Sequence, residues 1–460
     1  MNSNLYALIG LGVAVSFIMA LKGLSAPKTA RRGNLIGAFG ATVATVIVFF
    51  DPAIEEGHNT LLIIGAIAFG VIVGVPAARK IQMTQMPQLV ALFNGVGGGA
   101  AALVAIVEYL NLGDGASFGE VLATVFTVLV GSVSFSGSVI TFLKLQELMT
   151  TRPVVFPGGR FVIAATLAGA LGTSGWVIAS GGTTPLLVLA GLSLLFGVLF
   201  VLPVGGADVP IVISLLNAFT GLTVAASGYV LQSTLLIVAG TLVGASGTIL
   251  TRKMAEAMGR SLFGTLFGAF TAKPQAASEA GEVRPVKSGS PDDVAILLNY
   301  AQRVVIVPGF GLAVAQAQHT VRELADLLAE KGVEVAYGIH PVAGRMPGHM
   351  NVLLAEANVP YEQLVEMEEI NPTFPQTDVV LVVGANDVVN PAAKTTPGCP
   401  IYGMPILDVA SAGNVIFLKR SMRPGFAGIE NDLLYDAKTT LLFGDAKDSL
   451  TKVVNALKAL

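Results

Sequence analysis

Lys419, Arg420 and Ser421 stand directly after the apolar run 415–418. Two cations and a hydroxyl at the end of a strand-like run suit a phosphate dianion, which accepts charge-assisted hydrogen bonds from ammonium and guanidinium groups. The 2′-phosphate of NADP is the ligand this triplet points to, although a solvated basic turn has the same composition. A second run, 303–307, leads into Pro308-Gly309-Phe310-Gly311-Leu312-Ala313-Val314. This is a G-x-G turn with Val314 in place of the third glycine of a dinucleotide fingerprint. Glycines let the backbone turn sharply and approach a pyrophosphate, to which a following helix presents free N–H groups. Alone, such a turn is equally an ordinary connection; its place between a strand and a helix favours the nucleotide reading. An NAD site would want an acid at the end of the second strand. That strand ends Tyr337-Gly338-Ile339-His340, and Glu334 lies in mid-strand, so the acid signal is ambiguous.

Three further segments carry chemistry-bearing residues. Arg345 is the one arginine in a loop framed by turn residues, 340–350, and suits a pyrophosphate clamp or an interface. Gly384-Ala385-Asn386-Asp387 opens a polar turn after the run 378–383, at the strand ends where open α/β sheets bind ligands. Asp387 could equally cap a helix. The stretch 423–431 includes Gly425-Phe426-Ala427-Gly428, the glycines expected of a mobile lid or of a plain loop. His319 and His340 read as structural. No His, Cys and carboxylate cluster points to a metal, and the single Cys399 excludes an internal disulfide.

The elements that must position these residues begin near residue 291. Strand-like runs at 303–307, 333–337, 378–383 and 414–418 alternate with helical stretches, the clearest at 313–331. Such alternation predicts a parallel sheet with crossovers. Before residue 262 the chain is of another kind. The whole sequence is 53% hydrophobic and only 12% charged, against about 25% charged for a soluble protein. Its mean hydropathy is +0.72. Nine apolar runs, at about 4–23, 34–50, 60–76, 87–110, 118–142, 161–180, 185–204, 209–230 and 231–250, approach the roughly 20 residues a helix needs to cross a bilayer. Lys22, Lys28, Arg31, Arg32, Arg79, Lys80, Lys144, Arg152, Arg160, Arg252, Lys253 and Arg260 all fall on one side of this nine-helix arrangement. By the positive-inside rule that side is the cytoplasm. The N-terminus is then outside, and its first apolar run, lacking a basic lead, reads as a retained helix. The Ala-, Pro-, Ser- and Glu-rich stretch 263–290 reads as a linker. The expected organisation is a transmembrane domain at 1–262, that linker, and a cytoplasmic nucleotide domain at 291–460. No basic face suggests nucleic acid.

Taken together, the stretches GFGLAVAQAQ (309–318), HPVAGRMPGHMNVLLAE (340–356), GANDVVNP (384–391), Lys419-Arg420-Ser421 and LLFGDAK (441–447) resemble the beta subunit of proton-translocating NAD(P) transhydrogenase. The resemblance covers essentially the whole chain. It implies an inverted Rossmann-like domain that binds NADP(H), with NAD(H) held by a separate alpha subunit. It implies that Gly309, Gly311 and Ala313 approach the pyrophosphate, with Phe310, Leu312 and Val314 in the same turn, and that Arg345 binds it. Lys419, Arg420 and Ser421 would hold the 2′-phosphate. Asp387 would sit near the nicotinamide beside Gly384, Ala385 and Asn386, and is the one catalytic assignment. Residues 425–431, including Gly425, Phe426, Ala427 and Gly428, would form a lid with Tyr435. The resemblance further implies direct hydride transfer between nicotinamides, a proton gradient used to make NADPH, a dimer of the complete unit, and a place in the bacterial inner membrane. The rival reading from composition is a transporter or channel gated by a nucleotide-sensing domain.

One position departs from many relatives. Asn94 stands where they carry a channel histidine, and asparagine does not titrate. Histidine is the natural relay near neutral pH, so a titrating histidine is expected from the partner subunit's membrane helices. Asn94, Ser138 and Asn217 would line a polar path beside it, or else glue helices together. Asp208, before the eighth apolar run, is placed at the cytoplasmic mouth as a relay or as a helix cap.

Overall fold

The computed structural model describes residues 3–50, 59–112, 116–150, 153–205, 208–258, 261–262, 264, 284–346, 348–397, 399, 401–425 and 427–460. By its contacts the chain divides into two compact units, Met1–Val204 with Val212–Thr251, and Gly205–Ile211 with Arg252–Leu460. Most of the expected linker, together with Phe426, Arg152 and Arg260, lies outside the described residues.

In lipid every backbone polar group must be satisfied within the chain, which favours helices for long apolar runs. The described residues include nine long helices at the predicted places: α1 (Ser3–Gly23), α2 (Pro27–Val48), α3 (Thr60–Lys80), α4 (Met86–Leu112), α5 (Phe118–Leu145), α6 (Gly159–Ser180), α7 (Thr183–Val201), α8 (Val209–Val230) and α9 (Thr234–Ala257). Seven of them, α3 to α9, are long and apolar enough to cross a membrane, and make this a membrane protein. The apolar stretch of α1 among the described residues is shorter, Leu8–Gly23. Arg31 and Arg32 fall within α2, and charges in a span are costly.

Helix α5 is set by a capping box, in which Ser117 accepts from the Glu120 amide and Glu120 accepts from the Ser117 amide. It packs closely on α4 because glycine meets glycine. A Cβ on Gly131 would come within 2.7 Å of the Gly98 carbonyl, so only backbone fits there. At its far end Lys144 is 0% exposed. Its ammonium donates to the carbonyls of Val201 (3.2 Å), Leu202 (2.6 Å) and Val204 (2.7 Å). These carbonyls lie at and just past the end of α7, where a cation is well placed; those of Val201 and Leu202 also accept from the amides of Val204 and Val154.

The second unit is built on a six-stranded parallel sheet in the order β3-β2-β1-β4-β5-β6. The strands are β1 (Arg303–Pro308), β2 (Glu334–Ile339), β3 (Leu364–Glu366), β4 (Val379–Val383), β5 (Asn414–Lys419) and β6 (Thr439–Phe443). Alternate residues face opposite layers. Val304, Ile306, Leu381, Val383, Ile416 and Leu418 pack with the helices α10 (Pro291–Asn299), α12 (Gln318–Glu330), α13 (His349–Glu356) and α14 (Ala446–Ala459). Val305, Val307, Val380, Val382, Val415 and Phe417 pack under Phe374, Leu407 and Leu434. Burial on both faces is what valine-rich parallel strands require.

Two sequence expectations need correction here. The helix anticipated over 313–331 is two helices, α11 (Phe310–Val314) and α12. Gln316 between them has φ 49°, in the left-handed region, and the Ala317 amide turns back to the Leu312 carbonyl at 3.2 Å. A right-handed helix does not continue through such a residue. Strands β3 and β6 were not anticipated; β3 has three residues, too few for a hydrophobic period to register.

Candidate functional site

The strand order reverses between β1 and β4, and the loops leaving those two strands interlock. The Gly309 amide donates to the Val383 carbonyl at 2.9 Å, and the Gly311 amide to the Gly384 carbonyl at 2.9 Å. A Cβ on Gly309 would lie 2.5 Å from the Ala385 backbone, and one on Gly311 2.7 Å from the Gly384 Cα. Gly384 itself has φ +70°. The three glycines therefore form an interlocked backbone cradle, in which each Cβ position is already taken by the facing turn, at the point where open α/β sheets bind ligands. The helix after this turn, expected to present free N–H groups to a pyrophosphate, is the five-residue α11. Leu312 and Ala313 are buried, while Val314 is exposed.

The Arg345 guanidinium lies over the Phe310 ring, 4.4 Å from its centroid. The Arg345 amide donates to Nδ1 of His349 at 3.1 Å. Burial, and then the charge of Arg345, push the His349 pKa down, so this imidazole stays neutral. His340 is also buried, with Nε2 2.8 Å from the Pro405 carbonyl and Nδ1 accepting from the Val342 amide. Burial lowers its pKa as well. Both histidines brace the 340–349 loop.

A second cluster joins the turn after β4 to the loop after β5. Asp387 accepts from the Ala427 amide and from Nδ2 of Asn386, both at 2.9 Å. Nδ2 of Asn431 donates to the Asn386 carbonyl at 3.1 Å, and Nδ2 of Asn390 donates to the Glu430 carbonyl at 2.9 Å. Lys419 turns inward to the Asn386 side chain (3.2 Å). Burial lowers its pKa, against the opposing pull of the Asp387 charge. Arg420 reaches elsewhere, to Asp445 at 3.1 Å. The Ser421 hydroxyl accepts from the Arg423 amide at 3.4 Å. The structure thus gathers Asn386, Asp387, Lys419, Gly425 and Ala427, and sets Arg420 beside Asp445. Tyr435 is half-buried, and Gly428 has φ +71°.

Asn390, Asn431 and Asp445 carried no individual role in the sequence reading. Asn390 and Asn431 are almost fully buried, and buried carboxamides are usually hydrogen-bonded. Asp445 was findable, since it follows Gly444 and opens α14, where it accepts from the Lys447 amide.

In the helical unit, Nδ2 of Asn94 donates to Ser138 (2.9 Å) and Ser134 (3.3 Å). Ser134 lies 2.6 Å from the Thr220 hydroxyl and donates to the Leu216 carbonyl at 3.0 Å. Asn94 is 8% exposed, and its Oδ1 has no hydrogen-bond partner among the described residues. Asn217 is half-buried and, among the described residues, makes no hydrogen bond with this group. Asp208 belongs to the other unit, where it is buried and its carbonyl accepts from the Ile211 amide. No group of three or more metal-ligating side chains occurs among the described residues.

A family model described as NAD(P) transhydrogenase beta subunit matches residues 6–456. Two Rhodospirillum rubrum sequences, each named NAD(P) transhydrogenase subunit beta, are 47% identical over 452 residues, covering 96% of this chain and 97% of each relative. The chain belongs to the NAD(P) transhydrogenase beta subunit family, whose members act with an alpha subunit to pass hydride reversibly between NAD and NADP forms while translocating protons.

Proposed function

We propose that the sheet-based unit binds NADP(H), the alpha subunit binds NAD(H), and the helical unit carries the proton. The observation that carries this reading is the glycine cradle Gly309–Gly311–Gly384 beside the Lys419, Arg420 and Ser421 strand end. The strand order 3-2-1-4-5-6 is that of Rossmann folds, whose switch point binds dinucleotides. The interlocked glycine turns hold the backbone at the strand ends where a pyrophosphate would lie, with Arg345 as its counter-charge. Arg420 and Ser421, with Lys419 behind them, supply the cations and hydroxyl a 2′-phosphate needs. The nicotinamides supply the hydride chemistry, and the chain's own residues bind, orient and exclude water. Asp387 holds the 425–431 loop through the Ala427 amide, which supports a positioning role near the nicotinamide and a lid role for that loop with Tyr435.

Nine crossings put the N-terminus outside and the NADP(H) unit in the cytoplasm of a bacterial inner membrane, in agreement with the basic residues' one-sided distribution. Asn94 and Ser138, with Asn217 nearby, line the proton path, and Asp208 stands at its cytoplasmic mouth. Neither an amide nor a hydroxyl exchanges a net charge near pH 7, so the titrating histidine comes from the alpha subunit. The complete unit is a dimer that uses the proton gradient to make NADPH. The test is calorimetry on the full-length chain in detergent with NADPH and NADH. Tight NADPH binding, weak NADH binding and loss of the preference in Arg420→Ala support the assignment; equal binding of both cofactors ends it.

A further inference from the structure

Arg284 lies in the stretch whose composition reads as a linker, and it has three partners in the second unit. Its guanidinium meets Glu430 at 3.1 Å and Asp432 at 2.9 Å. Its Cζ stands 4.0 Å from the centroid of the Tyr435 ring. A planar fork suits this combination, since two N–H edges serve the carboxylates while the face stacks on the ring. The residues just after Arg284 are fastened as well. The Gly289 amide donates to the Leu441 carbonyl (3.0 Å), and the Leu441 amide to the Lys287 carbonyl (2.8 Å). Ser288 thereby bridges Leu441 in parallel along the outer edge of β6, and Val286 packs against the core cluster that Tyr435 also joins.

The 425–435 segment is therefore pinned on two sides. Asn386, Asp387 and Asn390 hold it from the turn after β4. Arg284 holds it from the stretch that runs along the outer edge of β6. Glu430 takes part in both, by its carbonyl to Asn390 and by its carboxylate to Arg284.

We propose that Arg284 is a positioning residue for the cofactor lid, tying residues 430–435 to the stretch 284–289 fastened along β6, so that NADP(H) release depends on this tie. This rests on the reading of 425–435 as the lid. The tie consists of two half-exposed ion pairs and one stacking contact. Pairs of this kind are screened by salt, whereas the Asn390 and Asn431 hydrogen bonds are buried.

The experiment compares NADPH release from the full chain assembled with its alpha subunit, by displacement with excess NADP+, in wild type, Arg284→Ala, Arg284→Lys and Asp387→Asn. Arg284→Ala is expected to speed release about fivefold and raise the KM for NADPH. Arg284→Lys, which keeps the charge but not the fork, should restore part of the difference. Raising salt should speed wild-type release more than it speeds release from Arg284→Ala, because the variant lacks the screened pairs of the tie. If Asp387→Asn speeds release and Arg284→Ala does not, the tie is wrong and the lid stands. If neither variant changes release, the lid reading falls and the tie with it. An Arg284→Ala variant that keeps the full salt response also overturns the tie.

Discussion

After β4 and β5, Asn386, Asp387, Asn390 and Asn431 find partners in neighbouring turns, whereas inside the helical unit Asn94, among the described residues, finds partners for its amide hydrogens only. The first group is closed on itself, its donors and acceptors matched across two loops. The second leaves a carboxamide oxygen without a donor, in surroundings where an unmatched acceptor costs about 1–3 kcal/mol. Saturated networks fix geometry, which is what two reacting rings need. An unsaturated one invites a water or a neighbouring chain's donor, which suits a path along which protons pass.

The strongest way to break this comparison is Gly384→Ala. A Cβ there would stand 2.6 Å from the Gly311 carbonyl carbon, at φ +70°, and such overpacking costs about 3 kcal/mol. NADPH affinity should fall on the order of a hundredfold, or the sheet unit should melt earlier, as read by calorimetry beside thermal unfolding. An affinity equal to wild type would mean that the cradle does not bind the cofactor. Arg420→Ala removes one charge-assisted bond of about 2 kcal/mol, so NADPH should weaken about thirtyfold while NADH is unaffected. Asn94→Leu sharpens the contrast from the other side. Proton-coupled turnover should drop about tenfold, matching roughly 1.4 kcal/mol, with NADPH binding unchanged. Unaltered proton pumping in that variant would leave Asn94 as mere packing.

The smallest effect is in pH. His340 and His349 have pKa values below the ordinary imidazole range, so the unfolded chain binds more protons than the folded one as pH falls below about 6.5. Their contribution is fully present above that value and is lost with acidification, by at most about 1.4 kcal/mol per pH unit for each histidine. The melting temperature of the sheet unit should be flat from pH 8 to 7 and decline toward pH 5.5. The Asn94 cluster holds no titrating group and should contribute nothing to that decline.

Much of this was legible in residue order. Apolar runs marked the long helices because the bilayer length sets a coarse requirement, and valine-rich runs marked the four central strands. The G-x-G turn and the 384–391 turn were recognisable, yet their interlocking was not, since the Gly311–Gly384 hydrogen bond joins residues 73 positions apart. The triplet 419–421 read as one cluster. In the fold Lys419 and Arg420 diverge, as adjacent residues leaving a strand must, toward Asn386 and Asp445 respectively. Arg284 was hidden in a stretch whose composition reads as linker. Its partners lie about 150 residues away, beyond the reach of any local pattern.

Lys144 sets a limit on how the helical unit moves. Each N–H of its ammonium is spent on a carbonyl near the end of α7. Sliding α5 past α7 by one turn, about 5.4 Å, would strand that charge against apolar side chains at prohibitive cost. The pair is thereby a rigid strut with a fixed stagger, and any stroke that opens the proton route must come from tilting or from other helices.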